Sequence, residues 1–199
     1  FQGEHGDDGV QGIDASGVTG TGSGLVKLAT RQDGINYYGI ETLNIDLGSG
    51  SDVFDVLGSS ATTRVSSRGG DDVFNVSFDP NAVLGSLDNV LGVTHPAVLH
   101  GTLDNILGTL SLDAGTGANS LNVSDFGDVQ ADGSVVIRDN QITGLAPATL
   151  NYTATGGSFG QGVNIWAGLG GDTISVQSVR ATDVTTIYGN AGKIGRAHV

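Results

Sequence analysis

A glycine-rich turn that ends in an acidic or amide residue recurs along this chain, and each copy is followed by the same alternation of apolar side chains. GSGSD at 48–52, RGGDD at 68–72, GTGAN at 115–119 and GLGGD at 168–172 end at Asp52, Asp72, Asn119 and Asp172. Two residues further on stand Phe54, Phe74, Leu121 and Ile174, and four further on Val56, Val76, Val123 and Val176. Side chains two apart on an extended strand share a face, so each turn feeds a strand with one apolar side. Ile45, Val65, Leu112 and Ile165, seven residues before the anchors, give the preceding strand an apolar side as well. Such a unit cannot bury its apolar face alone, and stacking one copy on the next is the natural solution.

The first two anchors are 20 residues apart, while Asp52 and Asp172 are 120 apart, with Asn44 and Ile45 matching Asn164 and Ile165 at that offset. Short apolar runs, frequent turns and glycine at corners that need positive φ predict an all-β fold: a parallel β-solenoid of β-helix or β-roll type. A β-sandwich is the alternative, because short strands at this spacing suit it too, although it does not require the same turn to recur.

Residues 25–192 are expected to form the repeat region, holding a super-repeat of 120 residues and an irregular insert at 79–108, with 1–24 the end of a preceding repeat or a linker. Short strands are expected at 25–28 and 36–38. Inside the insert, GSLDNVLG at 85–92 and GTLDNILG at 101–108 duplicate each other, and each suits either a loop or a single helical turn. Residues 193–199 break the repeat pattern, and 194–199 match the translation of a common sequencing adapter, so this stretch is set aside as a non-native tail.

Acidity narrows the partners. A net charge of −13 with only 8 Lys and Arg repels phosphate backbones and anionic membranes, which argues against nucleic acid. No apolar run approaches membrane-spanning length, so membrane insertion is not expected. Cysteine is absent, which removes disulfides and thiolate metal sites. Most of the acid is aspartate rather than glutamate, and at the glycine-rich turns its short carboxylate can bond the local backbone or a divalent cation. Asp52, Asp71, Asp72, Asn119 and Asp172 are therefore the candidate metal ligands, weighed against aspartates that cap their own turns. His5, His95 and His100 are scattered and read as surface residues rather than transition-metal ligands. Among the aromatics, Trp166 alternates with Ile165 and is the best candidate for an exposed carbohydrate platform, while Tyr38 and Tyr152 are expected to fill the core or a rung edge.

The turns GSGSDVFDV, RGGDDVFNV and GLGGDTISV resemble the haemolysin-type, repeat-in-toxin calcium-binding motif G-G-x-G-x-D-x-U-x, with U a large apolar residue. The chain as a whole resembles the degenerate repeats of large bacterial cell-surface or secreted proteins. The resemblance implies an extracellular or cell-surface location and Ca2+ held by Asp52, Asp72 and Asp172, with Asn119 replacing the motif aspartate in the third turn. The family's turns follow each other every nine residues, whereas these stand 20 or more apart, so any second half-site must come from a neighbouring copy.

The expected function is a non-enzymatic structural or adhesive segment of a large exported repeat protein, with calcium ions and neighbouring repeats as partners and a cell-surface or matrix polysaccharide as a further one. The alternative is a calcium-dependent polysaccharide lyase or hydrolase built on a β-helix. Against it, the candidate uronate-binding cations are Lys27, Arg31, Arg64, Arg68, Arg138 and Arg180, most of them in repeat strands and turns, and no catalytic constellation is recognisable.

Overall fold

A computed structural model describes residues 35, 37, 39–77 and 100–197, leaving out the side chains of 196 and 197, and the backbone alone of 87–90 and 93–96. These residues lie chiefly in the second of the two units into which the chain divides, Glu41–Val199. Residues 1–24, the strand expected at 25–28, most of that at 36–38, and the side chains of His5 and His95 fall outside the described residues.

The strands in chain order are β1 (Thr42–Asp46), β2 (Val53–Val56), β3 (Thr62–Ser66), β4 (Val73–Val76), β5 (Leu87–Val90), β6 (Val93–Pro96), β7 (Leu110–Asp113), β8 (Ala118–Ser124), β9 (Val135–Arg138), β10 (Gln141–Thr143), β11 (Leu150–Thr153), β12 (Ser158–Trp166), β13 (Thr173–Val176), β14 (Thr185–Tyr188) and β15 (Lys193–Ala197). The fold is all-β with parallel sheets. One sheet has the order β1-β3-β7-β11-β10-β9-β13-β15 and the second β2-β4-β8-β12-β14. Every pair in the second sheet is parallel. In the first, only the contacts of β10 with β9 and β11 are antiparallel. Among the described residues, no helix is long and apolar enough to cross a membrane.

The chain crosses between these two sheets at most connections: β1 to β2, β2 to β3, β3 to β4, β7 to β8, β8 to β9, and at each step from β11 to β15. The inward residues of both sheets meet in one hydrophobic core that includes Val65, Phe74, Val76, Leu112, Leu121, Val123, Ile165 and Ile174. Registers follow the recurrence seen in the sequence: Thr42 pairs with Thr62 and Val53 with Val73, both 20 residues apart. One apolar column runs Ile45, Val65, Leu112 and Tyr152 through the first sheet. Another runs Phe54, Phe74, Leu121 and Val163 through the second.

The fourth turn sits differently from the other three. Asp52, Asp72 and Asn119 lead into β2, β4 and β8 of the second sheet, but Asp172 leads into β13 of the first. Ile165 accordingly belongs with Val123 in the second sheet and not with the column of Ile45, Val65 and Leu112. An apolar alternation after a glycine turn looks the same whichever sheet it enters, so local pattern does not distinguish the two crossings.

The duplicated blocks also part company. Leu87–Val90 is a strand paired antiparallel with Val93–Pro96. In the second block, Ile106 donates its N–H to Leu103 O at 2.9 Å in a turn, and both apolar side chains are buried. Two nearly identical sequences thus take different backbone conformations. Lys193–Ala197 pairs with β13 as β15.

Polar side chains between the apolar columns stack as well. Asn75 Nδ2 donates to Asp55 Oδ1 at 2.7 Å, Asn122 Nδ2 to Asn75 Oδ1 at 2.8 Å, and Asn164 Nδ2 to Asn122 Oδ1 at 3.0 Å. Equal register on parallel strands places these side chains one above another, with Asn75 and Asn122 each donating in one direction and accepting from the other. Asn75 is 1% exposed, so Asn75→Ala removes both bonds from a site that water scarcely reaches. The expected loss is about 1–3 kcal/mol in urea unfolding. An unchanged midpoint would show that the column adds nothing to stability.

Candidate cation site

The sequence-predicted ligands form two groups. In the first, side chains bond the backbone of a neighbouring copy. Asp52 N donates to Asp72 Oδ1 at 2.8 Å, and Asp72 N donates to Asn119 Oδ1 at 2.9 Å, each side chain reaching the copy before it. Asp71 Oδ1 reaches the other way and accepts from Ala118 N of the following copy at 2.8 Å. The anchors thus clamp neighbouring turns together instead of capping their own. This explains why asparagine replaces aspartate at 119: the acceptor role needs a carbonyl oxygen and no charge. The amide adds a donor, since Asn119 Nδ2 reaches Ser158 O at 3.2 Å. Asp72 and Asn119 are fully buried, Asp52 half-buried and Asp71 exposed. The second oxygens of Asp52 and Asp72 are buried without a hydrogen-bond partner.

Asp172 stands elsewhere. Its Oδ1 accepts from Asp132 N at 2.8 Å, which places it at the end of an acidic loop, Asp125–Asp132, between β8 and β9. Pairing of β9 with β13 brings the two segments together. Within the loop, Asp125, Asp128 and Asp132 each offer a carboxylate oxygen, and these lie within 4.8 Å of one another. Calcium ligands stand about 2.3–2.6 Å from the ion, so opposite ligands are about 4.6–5.2 Å apart and one ion can reach all three. The set can in principle hold a metal ion.

Backbone bonds fix this loop from several sides. Asp125 N donates to Trp166 O at 2.9 Å, Asp128 N to Asp125 O at 2.9 Å, and Thr173 N to Asp132 O at 2.8 Å. Asp125 Oδ1 accepts from Leu103 N at 2.7 Å and Asp128 Oδ1 from Gln130 N at 2.9 Å. Burial pushes the Asp125 carboxyl up to about 8, with the charges of Asp128, Asp132 and Asp104 adding to the shift. Burial also raises Asp132 to about 6, reinforced by Asp172 and Asp128.

These three carboxylates were missed because their D-x-x-D-x-x-x-D spacing does not match the recurring glycine-rich turn that runs into an apolar alternation. The available signal was three aspartates within the eight residues DFGDVQAD.

Without a cation, the proton on Asp125 has a stability consequence. A carboxyl held above its ordinary 3.8 binds its proton more tightly in the folded state. Its contribution is complete below about pH 4 and is lost as pH rises towards about 8. In chelator, the melting temperature of the wild type relative to Asp125→Asn is expected to fall across that interval. A difference that stays flat or rises with pH would refute this.

Trp166 does not form an exposed platform. It is 2% exposed and stacks on Tyr188, its partner on the next strand, with ring centroids 4.9 Å apart and planes 7° from parallel. Alternation placed it opposite Ile165, but the neighbouring strand covers it. Tyr152 is buried in the core, its hydroxyl donating to Arg138 O at 2.5 Å. No family model, curated protein or solved structure matches this chain.

Proposed function

We propose that this chain is a non-enzymatic segment of a large exported repeat protein: a parallel β-solenoid serving as stalk, adhesin scaffold or matrix component at the cell surface, with calcium adding stability at its carboxylate-lined turns. The observation that carries this reading is the use of the recurring turns. Asp72 and Asn119 spend a side-chain oxygen joining one copy to the next. Residues committed to stacking are what a load-bearing coil needs, and their buried backbone bonds leave them poorly placed for substrate.

One feature keeps the polysaccharide-processing reading in view. A cleft of about 360 Å³ is lined by Asp139, Asn140, Thr153, Thr155 and Arg180, pairing a carboxylate and a guanidinium with sugar-compatible hydroxyl and amide groups. Incubation with uronate-containing polysaccharides and calcium separates the two. The scaffold reading expects no new reducing or unsaturated chain ends, and their appearance would replace it with the enzymatic one.

A further inference from the structure

We propose that Asp125, Asp128 and Asp132 bind one hard divalent cation of the calcium class, with Asp172 supplying a fourth carboxylate beside Asp132. This site is distinct from the stacked turns at Asp52, Asp71, Asp72 and Asn119, and it does not depend on the scaffold reading.

Two independent observations support it. The first is the mutual approach of three carboxylates within the span of one coordination sphere. The second is Asp172. This residue is 1% exposed, one of its oxygens holds the Asp132 amide, and the other is buried without a hydrogen-bond partner. Oδ2 of Asp132 is buried and meets no N–H or hydroxyl donor, the side-chain neighbour of this carboxyl group being the carboxyl of Asp125. A buried carboxylate oxygen lacking a donor is costly, and one beside other carboxylates is costlier still. A cation supplies what both oxygens lack.

The chemistry of the donors selects the ion. All four are carboxylates, which suit calcium or magnesium and not the softer metals that take nitrogen or sulfur. Magnesium keeps most of its water and is seldom enclosed by several protein carboxylates, whereas calcium accepts six to eight oxygens in flexible geometry. The site is also preorganised. Asp125, Asp128 and Asp172 each have one oxygen engaged by a backbone N–H, which orients the carboxyl groups. Binding here would tie the loop after β8 to the turn before β13, two segments separated by 40 residues at the Asp132–Asp172 contact.

Terbium, a luminescent stand-in for calcium, gives a direct test on the full 199-residue chain. Trp166 is the chain's one tryptophan, and its carbonyl accepts the Asp125 N–H, so the indole is a nearby antenna. Excitation of Trp166 is expected to sensitise bound terbium, with calcium displacing it at lower concentration than magnesium. Asp128→Asn and Asp132→Asn should weaken terbium and calcium binding by about tenfold or more, while Asp46→Asn, at an exposed carboxylate paired with Arg68, leaves it unchanged. Absence of sensitised emission and of any calcium-dependent rise in melting temperature would overturn the proposal. So would retention of binding in both loop variants, or its loss in Asp46→Asn. Should the loop variants fail to fold, hydrogen exchange of the wild type decides. Calcium-dependent protection at 125–132 supports the site, and unchanged exchange there overturns it. None of these results bears on whether the chain cleaves polysaccharide.

Discussion

Gly117→Ala is expected to abolish or severely weaken folding, with a loss on the order of 4 kcal/mol or more. Gly117 has φ of +105°, which L side chains rarely adopt, and a Cβ placed there would stand 2.0 Å from Gly70 O. The obstructing atom is backbone, so no rotamer change relieves the clash. The two turns would have to move apart, breaking the bonds of Asp71 Oδ1 with Ala118 N and of Asn119 Oδ1 with Asp72 N. The same closeness recurs one copy away, where a Cβ on Gly70 would meet Gly50 O at 2.3 Å. Gly133→Ala is the control: nothing lies within 4 Å of its Cβ position, and the expected change is below about 0.5 kcal/mol. Urea unfolding of the two variants measures the contrast, and similar midpoints would defeat the account of why glycine precedes each anchor.

The second large effect is expected from Phe74→Ala. Phe74 is fully buried and lies in register between Phe54 and Leu121 on the neighbouring strands. Removing the ring opens a cavity in the middle of a stacked column, where neighbours on both sides are fixed by ladder hydrogen bonds and cannot collapse inward. The expected cost is about 3–5 kcal/mol. Phe54→Ala, at the half-buried edge of the same column, should cost distinctly less. Equal losses in chemical denaturation would contradict this ranking.

The sequence made the stacking unit legible because geometry forces it to repeat. A glycine two residues before the anchor lets successive turns approach, and Phe54, Phe74 and Leu121 share a column because parallel pairing preserves their offset from that turn. What escaped was set by pairing between distant strands. Nothing local to GLGGD says that it enters the first sheet, because its phase depends on the two strands β9 and β10 inserted upstream. The acidic loop escaped for the same reason: Asp172 reaches Asp132 through the β9–β13 pairing, which neither segment encodes alone. Trp166 was misjudged because its cover, Tyr188, arrives from the following strand.

The inserted pair β9 and β10 has a counterpart in crystals. Between β11 and β13 the first sheet gains two rows, while β12 and β14 remain direct neighbours in the second. In a lattice this is an edge dislocation, in which extra rows end inside a body whose opposite side runs on unbroken. At a strand spacing of about 4.8 Å, the mismatch between the two sides is about 9.6 Å. Its two rows are bound by parity. β9 and β10 run in opposite directions, so losing one alone would leave β11 antiparallel to β7 and cancel the polarity that the rest of the sheet shares. Duplication or deletion in this region is therefore expected to be tolerated only when the hairpin moves as a whole.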